Sequence, residues 1–174
     1  MIKLIIEKLL RVTKNRKKLE KDLEVKITNR GKEVYITGEP ENEYFAEKVI
    51  QALELGFPYA TAISIKKQDL VFEILSLKNY TRSKNLARVR ARIIGTKGKT
   101  LQTLTELTDC AFELKENQIG IIGEPENIKQ AEEAIISLVR GAKQGNVYAG
   151  AMKLKAKLKI QEFEDLGLKK KDNL

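Results

Sequence analysis

Two glycines bracket a short basic loop, Gly95-Thr96-Lys97-Gly98, near the middle of the chain. Glycine permits backbone angles denied to other residues and presents no side chain to an approaching molecule. A helix predicted to begin near Lys99 would direct its free N–H groups and the positive end of its dipole towards the loop. With the added charges of Lys97 and Lys99, this loop can bind the phosphates of a nucleic-acid backbone without reading its bases.

The residues around the loop are basic over a long stretch. No Asp or Glu occurs from Ile74 to Thr105, although the whole chain contains 24. The stretch carries eight positive charges: Lys78, Arg82, Lys84, Arg88, Arg90, Arg92, Lys97 and Lys99. Lys84, Arg88 and Arg92 recur every four residues, so a helix would stack them in one stripe, where each like pair costs about 0.2–0.5 kcal/mol. The stripe favours contact with a polyanion; the alternative is a solvated face paired with acids from elsewhere.

The overall composition narrows the classes of function. A net charge of +9 in 174 residues favours a nucleic acid or an anionic membrane surface as the partner. No run approaches the roughly 20 apolar residues that span a bilayer, and the basic helix lacks aromatic anchors for a membrane surface. No signal peptide is recognised at the N-terminus. We therefore predict a cytoplasmic protein that does not act at a membrane.

Histidine is absent and Cys110 is the only cysteine. This excludes Cys/His zinc sites and nucleophilic catalysis by Ser-His or Cys-His pairs. The acids of the amphipathic helices lie beside lysines, as on a solvated face. We predict no enzymatic activity, with no catalytic residues, metal, cofactor or small-molecule substrate, and we interpret Cys110 as a small core residue.

The chain contains an internal repeat with an offset of 85 residues. Gly38-Glu39-Pro40-Glu41-Asn42 recurs as Gly123-Glu124-Pro125-Glu126-Asn127. Two short runs of alternating polarity precede each copy and predict a hairpin, and a helical pattern follows it. The repeat favours two similar domains over one large fold.

The two copies differ ahead of their hairpins. In the second copy, 69–77 is a dense apolar run suited to a central strand, and 83–94 predicts a helix with Ser83 as its N-cap. After the glycine loop, Leu101, Leu104 and Leu107 predict a second short helix. In the first copy, 2–6 predicts the strand and 8–20 the helix. Its first 30 residues contain no glycine, so the corresponding loop near 13–16 has no glycine pair.

The order of elements and the GxxG loop resemble the KH domain, whose loop clamps about four nucleotides of single-stranded RNA along their backbone. The helix pair precedes the hairpin, as in one version of that domain. The resemblance implies that bases lie against an apolar groove, for which Ile93, Ile94 and a residue of the 111–114 strand are candidates. The resemblance implies that Gly95, Thr96, Lys97 and Gly98 form the RNA clamp. With the neighbouring cations and apolar residues, the predicted RNA-binding residues are Lys84, Arg88, Arg90, Arg92, Ile93, Ile94, Gly95, Thr96, Lys97, Gly98 and Lys99.

The resemblance to KH domains can be narrowed to one family. The features that do so are the segments 90–100 and 140–158 and the repeated hairpin-to-helix junction. Together they are similar to the tandem-KH ribosome-assembly proteins that partner the Nob endonuclease, also described as dimethylase-associated, in the archaeal branch of that family. The similarity implies binding near the 3′ end of small-subunit ribosomal RNA, and recruitment or control of the Nob endonuclease. It also implies that the tail with Tyr148 packs on the second domain as a helix, although 152–160 alternates like a strand.

We therefore predict an α+β protein with two tandem KH-like domains, each a three-stranded sheet packed by helices, and a C-terminal helical tail. Residues 1–60 form a degenerate domain without GxxG, 61–141 the domain with the loop, and 142–174 a tail that is helical and then frayed. The alternatives are a protein-interaction adaptor and a general RNA-binding factor outside ribosome assembly. For the basic run 14–18, a second RNA contact and a solvated helix surface remain equally open.

Overall fold

The structure is a computed structural model, and it describes residues 1–167. The chain forms two three-stranded sheets with helices, which confirms the predicted α+β class. The first part of the chain forms β1 (Ile2–Ile5), α1 (Leu10–Leu23), β2 (Val25–Arg30), β3 (Glu33–Gly38), α2 (Pro40–Leu55) and α3 (Tyr59–Lys67). The second part forms β4 (Val71–Ser76), α4 (Leu86–Ile94), α5 (Lys99–Thr108), β5 (Ala111–Lys115), β6 (Gln118–Gly123), α6 (Pro125–Val139) and α7 (Gln144–Asp165).

The repeat in the sequence is a repeat in the structure. We call β1 to α2 the first repeat and β4 to α6 the second. Both sheets are antiparallel and share one topology, with orders β1-β3-β2 and β4-β6-β5. Pro40 and Pro125 each begin the helix after the hairpin, where a missing N–H costs nothing.

The prediction that 69–77 is a central strand was wrong. β4 pairs only with β6 among the described residues and is an edge of its sheet, whereas β6 lies in the middle. The run is dense in apolar residues because each face of β4 contributes one buried side chain to a core, although Ile74 is 38% exposed. Phe72 packs into the core of the first repeat, while Leu75 packs into the core of the second.

Each repeat has its own hydrophobic core. The predicted boundary between residues 60 and 61 falls inside α3, whose Ala62, Ile63 and Ile65 belong to the first core. A division after Lys67 would keep α3 with that core, to which Phe72 and Ile122 of the second repeat also contribute. The separation into tandem domains stays a prediction.

The repeats contact each other through the outer face of the second sheet. Phe57 meets Phe72 edge to face with ring centroids 6.0 Å apart. A Cβ atom placed on Gly120 would clash with Leu55 and would lie 2.8 Å from Phe57. The absence of a side chain at Gly120 therefore lets the end of α2 lie flat on β6.

The C-terminal segment is helical, as the resemblance implied, and not a strand. Val147 and Ala151 of α7 are buried, and Tyr148 packs against the second core. Lys155 pairs with Asp109 at 2.9 Å, which fixes α7 to the end of α5. The predicted frayed end, 169–174, lies outside the described residues.

Candidate nucleic-acid interface

The GxxG loop connects α4 to α5 through three residues with left-handed backbone. Gly95, Lys97 and Gly98 have φ angles of 75°, 53° and 75°. The N–H of Gly95 still donates to Ala91 O at 2.8 Å and closes α4, and α5 begins at Lys99 as predicted. The loop is therefore a tight reversal between two helices.

The two glycines have different roles in this reversal. A Cβ on Gly95 would clash with the Thr100 side chain and lie 2.9 Å from its backbone nitrogen, so no other residue fits there. Nothing lies within 4 Å of a Cβ placed on Gly98. Gly95 is required by the fold, whereas Gly98 leaves open space in front of α5.

That open space faces the N-terminus of α5, where the Gly98 N–H donates to Gly95 O at 3.3 Å and the Lys99 N–H donates to Thr96 O. Gly98 is the N-cap residue of α5, no side chain caps the helix, and its first turn holds no acid. Lys97 and Lys99 are exposed beside it. The positive end of the helix dipole and two ammonium groups therefore lie together, and this combination attracts anions such as phosphate.

The N-cap of helix α4 lies two residues later than predicted. Asn85, not Ser83, is its N-cap: the Asn85 Oδ1 accepts from the backbone N–H of Arg88 at 3.1 Å. Ser83 supports the turn by accepting from the N–H of Asn85 at 3.2 Å. Lys84 thus precedes the helix, and the predicted stripe of three cations is reduced to Arg88 and Arg92.

The arginines of α4 point in different directions. Arg88 is exposed. Arg90 donates to the Asn117 Oδ1 in the β5–β6 turn at 2.6 Å, and Arg92 donates to the Leu138 carbonyl at the end of α6 at 3.4 Å. Arg90 therefore braces α4 against the hairpin, and Arg92 braces it against α6.

None of these cations is neutralised by an acid in the described part of the chain. Seven ion pairs within 4.0 Å occur in residues 1–167, and none includes a basic residue between Lys78 and Lys99. The alternative of a solvated face paired with acids from elsewhere is therefore not supported there. The positive charge stays available to a polyanion.

The predicted apolar contacts divide into exposed and buried residues. Ile93 is fully buried in the second core, whereas the Ile94 side chain is 39% exposed. In the edge strand β5, Phe112 and Leu114 pack towards the second core and its helices. A surface for bases would thus consist of Ile94 with Phe112 or Leu114, and Ile93 supports it only from the interior.

Sequence reasoning missed three polar residues that position the loop. Gln144, the first residue of α7, donates to the Thr100 Oγ1 at 2.8 Å and ties the C-terminal helix to the start of α5. Asn117 holds Arg90, and Asn85 caps α4. Only Asn85 had a local signal, since Asn before an apolar helical pattern is a preferred N-cap.

The basic run 14–18 lies on α1, which passes through 13–16 without interruption. Arg16 pairs with Glu20 at 3.6 Å, and the Lys18 ammonium lies 4.3 Å from the centre of the Tyr59 ring. Arg16 and Lys18 therefore make contacts within the protein, as expected for a helix surface. Lys14 and Lys17 are left for either interpretation.

The structure adds little to the other candidate chemistries. Burial raises the pKa of the Cys110 thiol to about 11, so this core cysteine is a poor nucleophile. No cluster of three potential metal ligands occurs within residues 1–167. Over the same residues, no helix is both long and apolar enough to cross a membrane.

Comparison with known proteins identifies relatives of this site. Residues 71–156 match the family model for the second KH domain of Pno1, described as a eukaryotic-type KH domain of type I. A KH domain-containing protein of Methanocaldococcus jannaschii is 30% identical over 90% of this chain and 72% of its own length. The pre-rRNA-processing protein pno1 of Emericella nidulans is 31% identical over 65% of this chain, which spans 45% of that protein.

A solved structure shares the whole architecture. It is the complex of a/eIF2alpha, aDim2p and rRNA from Pyrococcus horikoshii, in which the matching chain superposes with a TM-score of 0.81 at 29% identity. The match covers 90% of this chain and 94% of the other. The two chains therefore share one fold over most of their length.

Proposed function

The chain belongs to the archaeal KH-domain ribosome-assembly proteins of the Pno1/Dim2 family, and on that premise we propose that it binds single-stranded RNA through the GxxG loop. Its target is the 3′ region of small-subunit ribosomal RNA during ribosome assembly. The pre-rRNA-processing name of the fungal relative and the rRNA in the Pyrococcus complex support this assignment. It acts in the cytoplasm as a binding protein without catalysis.

The observation that carries the proposal is the open space at Gly98. It lies in front of the uncapped N-terminus of α5, between two exposed lysines, with no acid nearby in sequence. A phosphate group placed there lies at the positive end of the α5 dipole, beside Lys97 and Lys99. The predicted contacts of Arg88, Arg90, Arg92 and Ile94 extend this clamp along α4.

The test is the pair of variants Gly98→Asp and Gly98→Asn, measured by fluorescence anisotropy with an oligoribonucleotide from the rRNA 3′ end. Both side chains tolerate left-handed backbone and have nearly the same volume, so only the charge differs. Asp should weaken binding about 100-fold or more, because like charges across an interface cost several kcal/mol. Asn should weaken it about tenfold at most. Equal affinity of the Asp variant and the unchanged protein would refute the clamp.

We propose further that the protein recruits or regulates a Nob-type endonuclease while it holds the RNA, as the family resemblance implies. Pull-down of the endonuclease with the Gly98→Asp variant separates the two roles. Retained capture in the absence of RNA binding assigns the endonuclease to a surface away from the loop. Capture that requires RNA would assign it to the bound RNA.

A protein-interaction adaptor is the second candidate, and one surface favours it. Tyr44 is 54% exposed on α2 and lies with Phe45 and Lys48 beside a cavity of about 310 Å³ that reaches β4 and Pro125. If this surface binds a partner protein, Tyr44→Ala should abolish that contact and leave RNA affinity unchanged. Mapping RNA crosslinks in cells distinguishes ribosomal RNA from a general RNA target.

A further inference from the structure

A second basic cavity lies outside the clamp, in the segment that joins β4 to α4. It has a volume of about 490 Å³ and is lined by Asn79, Tyr80, Thr81 and Arg82, together with Arg140 from the end of α6. The two arginines are 58 residues apart in the sequence (140 minus 82) and meet only because the fold closes. The proposed clamp uses none of these residues.

The lining suits a nucleotide. Two guanidinium groups offer planar, multiple donors of the kind that bind phosphate, and Tyr80 offers an aromatic ring on which a base can stack. The lining contains no carboxylate. Within residues 1–167, neither Arg82 nor Arg140 lies within 4.0 Å of an acid.

A structural role accounts for only part of this charge. Arginine at the end of a helix can interact with its free carbonyls, but Arg92 already donates to the Leu138 carbonyl of α6. Arg82 lies four residues before α4, and the first turn of α4 contains no acid that could pair with it. An anion between Arg82 and Arg140 would neutralise this charge.

The cavity lies near the clamp. The Arg92 guanidinium lies 3.3 Å from the position of a Cβ on Gly141, the residue after Arg140. Gln144, three residues further on, is bonded to Thr100 beside the loop. The nine residues of α4 span about 13 Å, so the cavity and the loop lie within a few nucleotides of each other.

We infer that this cavity binds a further nucleotide of the same RNA strand, outside the four or so held by the clamp. Arg82 and Arg140 contact its phosphate, and its base lies against Tyr80. The inference rests on the proposed RNA-binding function and deepens it, because it predicts that affinity increases with RNA length.

The experiment measures affinity for oligoribonucleotides of about 5, 8 and 12 residues from the rRNA 3′ end, since a KH clamp occupies about four. The variant Arg82→Gln/Arg140→Gln is compared with the unchanged protein. Both side chains are exposed, so the fold should be retained. Lys153→Gln/Lys157→Gln removes the same charge from the exposed side of α7 and serves as the matched control.

The arginine variant should bind the longest RNA about tenfold more weakly. Its log–log salt slope should be shallower by about 0.7, because one phosphate of the strand is no longer neutralised. Its affinity for the shortest RNA should not change, and the lysine control should match the unchanged protein on all three.

Unchanged affinity of the arginine variant for the longest RNA would overturn the inference that the cavity binds a nucleotide. The proposed clamp at the GxxG loop would not be affected. Equal weakening on short and long RNA would also overturn it, since the arginines would then act on the clamp itself. If the unchanged protein bound none of the RNAs, the proposed function would fail.

Discussion

The two repeats share a sheet topology and a hairpin-to-helix junction, but they differ in the path from first strand to hairpin. In the first repeat that path is one helix, α1, of 14 residues. In the second it is α4 and α5, of nine and ten residues, with the glycine loop between them. The common scaffold therefore carries the candidate interface only where the helix is broken, which places function in a local feature and not in the fold.

The outer faces of the two sheets also differ, at positions equivalent in the repeat. Gly120 of β6 corresponds to Tyr35 of β3, 85 residues earlier. Tyr35 donates to the Glu33 carboxylate at 2.6 Å on a half-exposed face, whereas Gly120 lies beneath Leu55 and Phe57. One sheet therefore has a polar outer face, and the other serves as the contact between the repeats.

Among the substitutions that test the difference between the two repeats, Gly95→Ala should reduce the free energy of unfolding most. The residue has φ 75° and ψ 178°, a region open essentially to glycine alone, and the added methyl group would meet Thr100. We expect the free energy of unfolding to fall by about 3 kcal/mol or more from strain and overpacking together. Urea denaturation measures it.

The control is Gly98→Ala, which enters open space and carries only the left-handed backbone cost of about 1–2 kcal/mol. Equal destabilisation by the two variants would show that the loop has no special requirement at its first glycine. The break between α4 and α5 would then depend on glycine in general.

The next effect concerns the contact between repeats. Gly120→Ala should reduce the free energy of unfolding by about 1–3 kcal/mol, because the methyl group overpacks against Leu55 and Phe57. Hydrogen exchange should show increased exposure in β6 and at the end of α2. Tyr35→Ala, at the equivalent position, should cost less than about 1 kcal/mol, since it removes a partly exposed side chain. The reverse order would contradict the assignment of the covered face.

Local and periodic features of this fold could be predicted from the sequence. The repeat, both hairpins, the GxxG loop and the start of α5 follow from patterns a few residues long. The edge position of β4 could not be predicted, because its apolar density comes from two layers formed by distant segments. Ser83 was predicted as the N-cap of α4 and Lys84 as part of its stripe of cations, but Asn85 caps the helix.

Within the site, the glycines and lysines of the loop were predicted from the sequence. The hydrogen bonds that position the loop and its helices were not. Arg90 with Asn117 and Gln144 with Thr100 join residues 27 and 44 positions apart. Such pairs depend on the packing of whole elements. The burial of Ile93 beside the exposed Ile94 likewise follows from which side of α4 faces the core.

The smallest expected effect is a different response of the two repeats to acid. Four carboxyl groups of the first repeat have a pKa lowered by donors that stabilise the charged form, and they pair as Glu7 with Lys32, Asp22 with Tyr59, Glu33 with Lys3, and Glu43 with the α-amino group of Met1. In the second repeat, burial raises the pKa of Glu113 and of Glu132. The charged form is thus favoured at the four groups of the first repeat, and the neutral form at the two of the second.

The directions of these pKa shifts determine how the stability of each repeat changes with pH. Groups with a lowered pKa in the folded state stabilise the first repeat above about pH 4.5, and this contribution is lost as pH falls through their folded values. Groups with a raised pKa take up a proton more readily when folded, so the second repeat gains stability at a higher pH, as pH falls through their folded values towards about pH 4.5. The effect is small because the pairs lie near the surface, where they contribute little.

Hydrogen exchange between pH 6 and pH 3, corrected for the intrinsic rate, tests this difference. Amides of β1, α1 and β3 should lose protection at a higher pH than those of β4, β6 and α6. Asp22→Asn is the matched variant, because its side-chain oxygen can still accept from Tyr59 but no longer titrates. It should reduce the pH dependence of α1. Loss of protection in both repeats at one pH would mean that they unfold together, and their different carboxyl groups would then have no separate consequence.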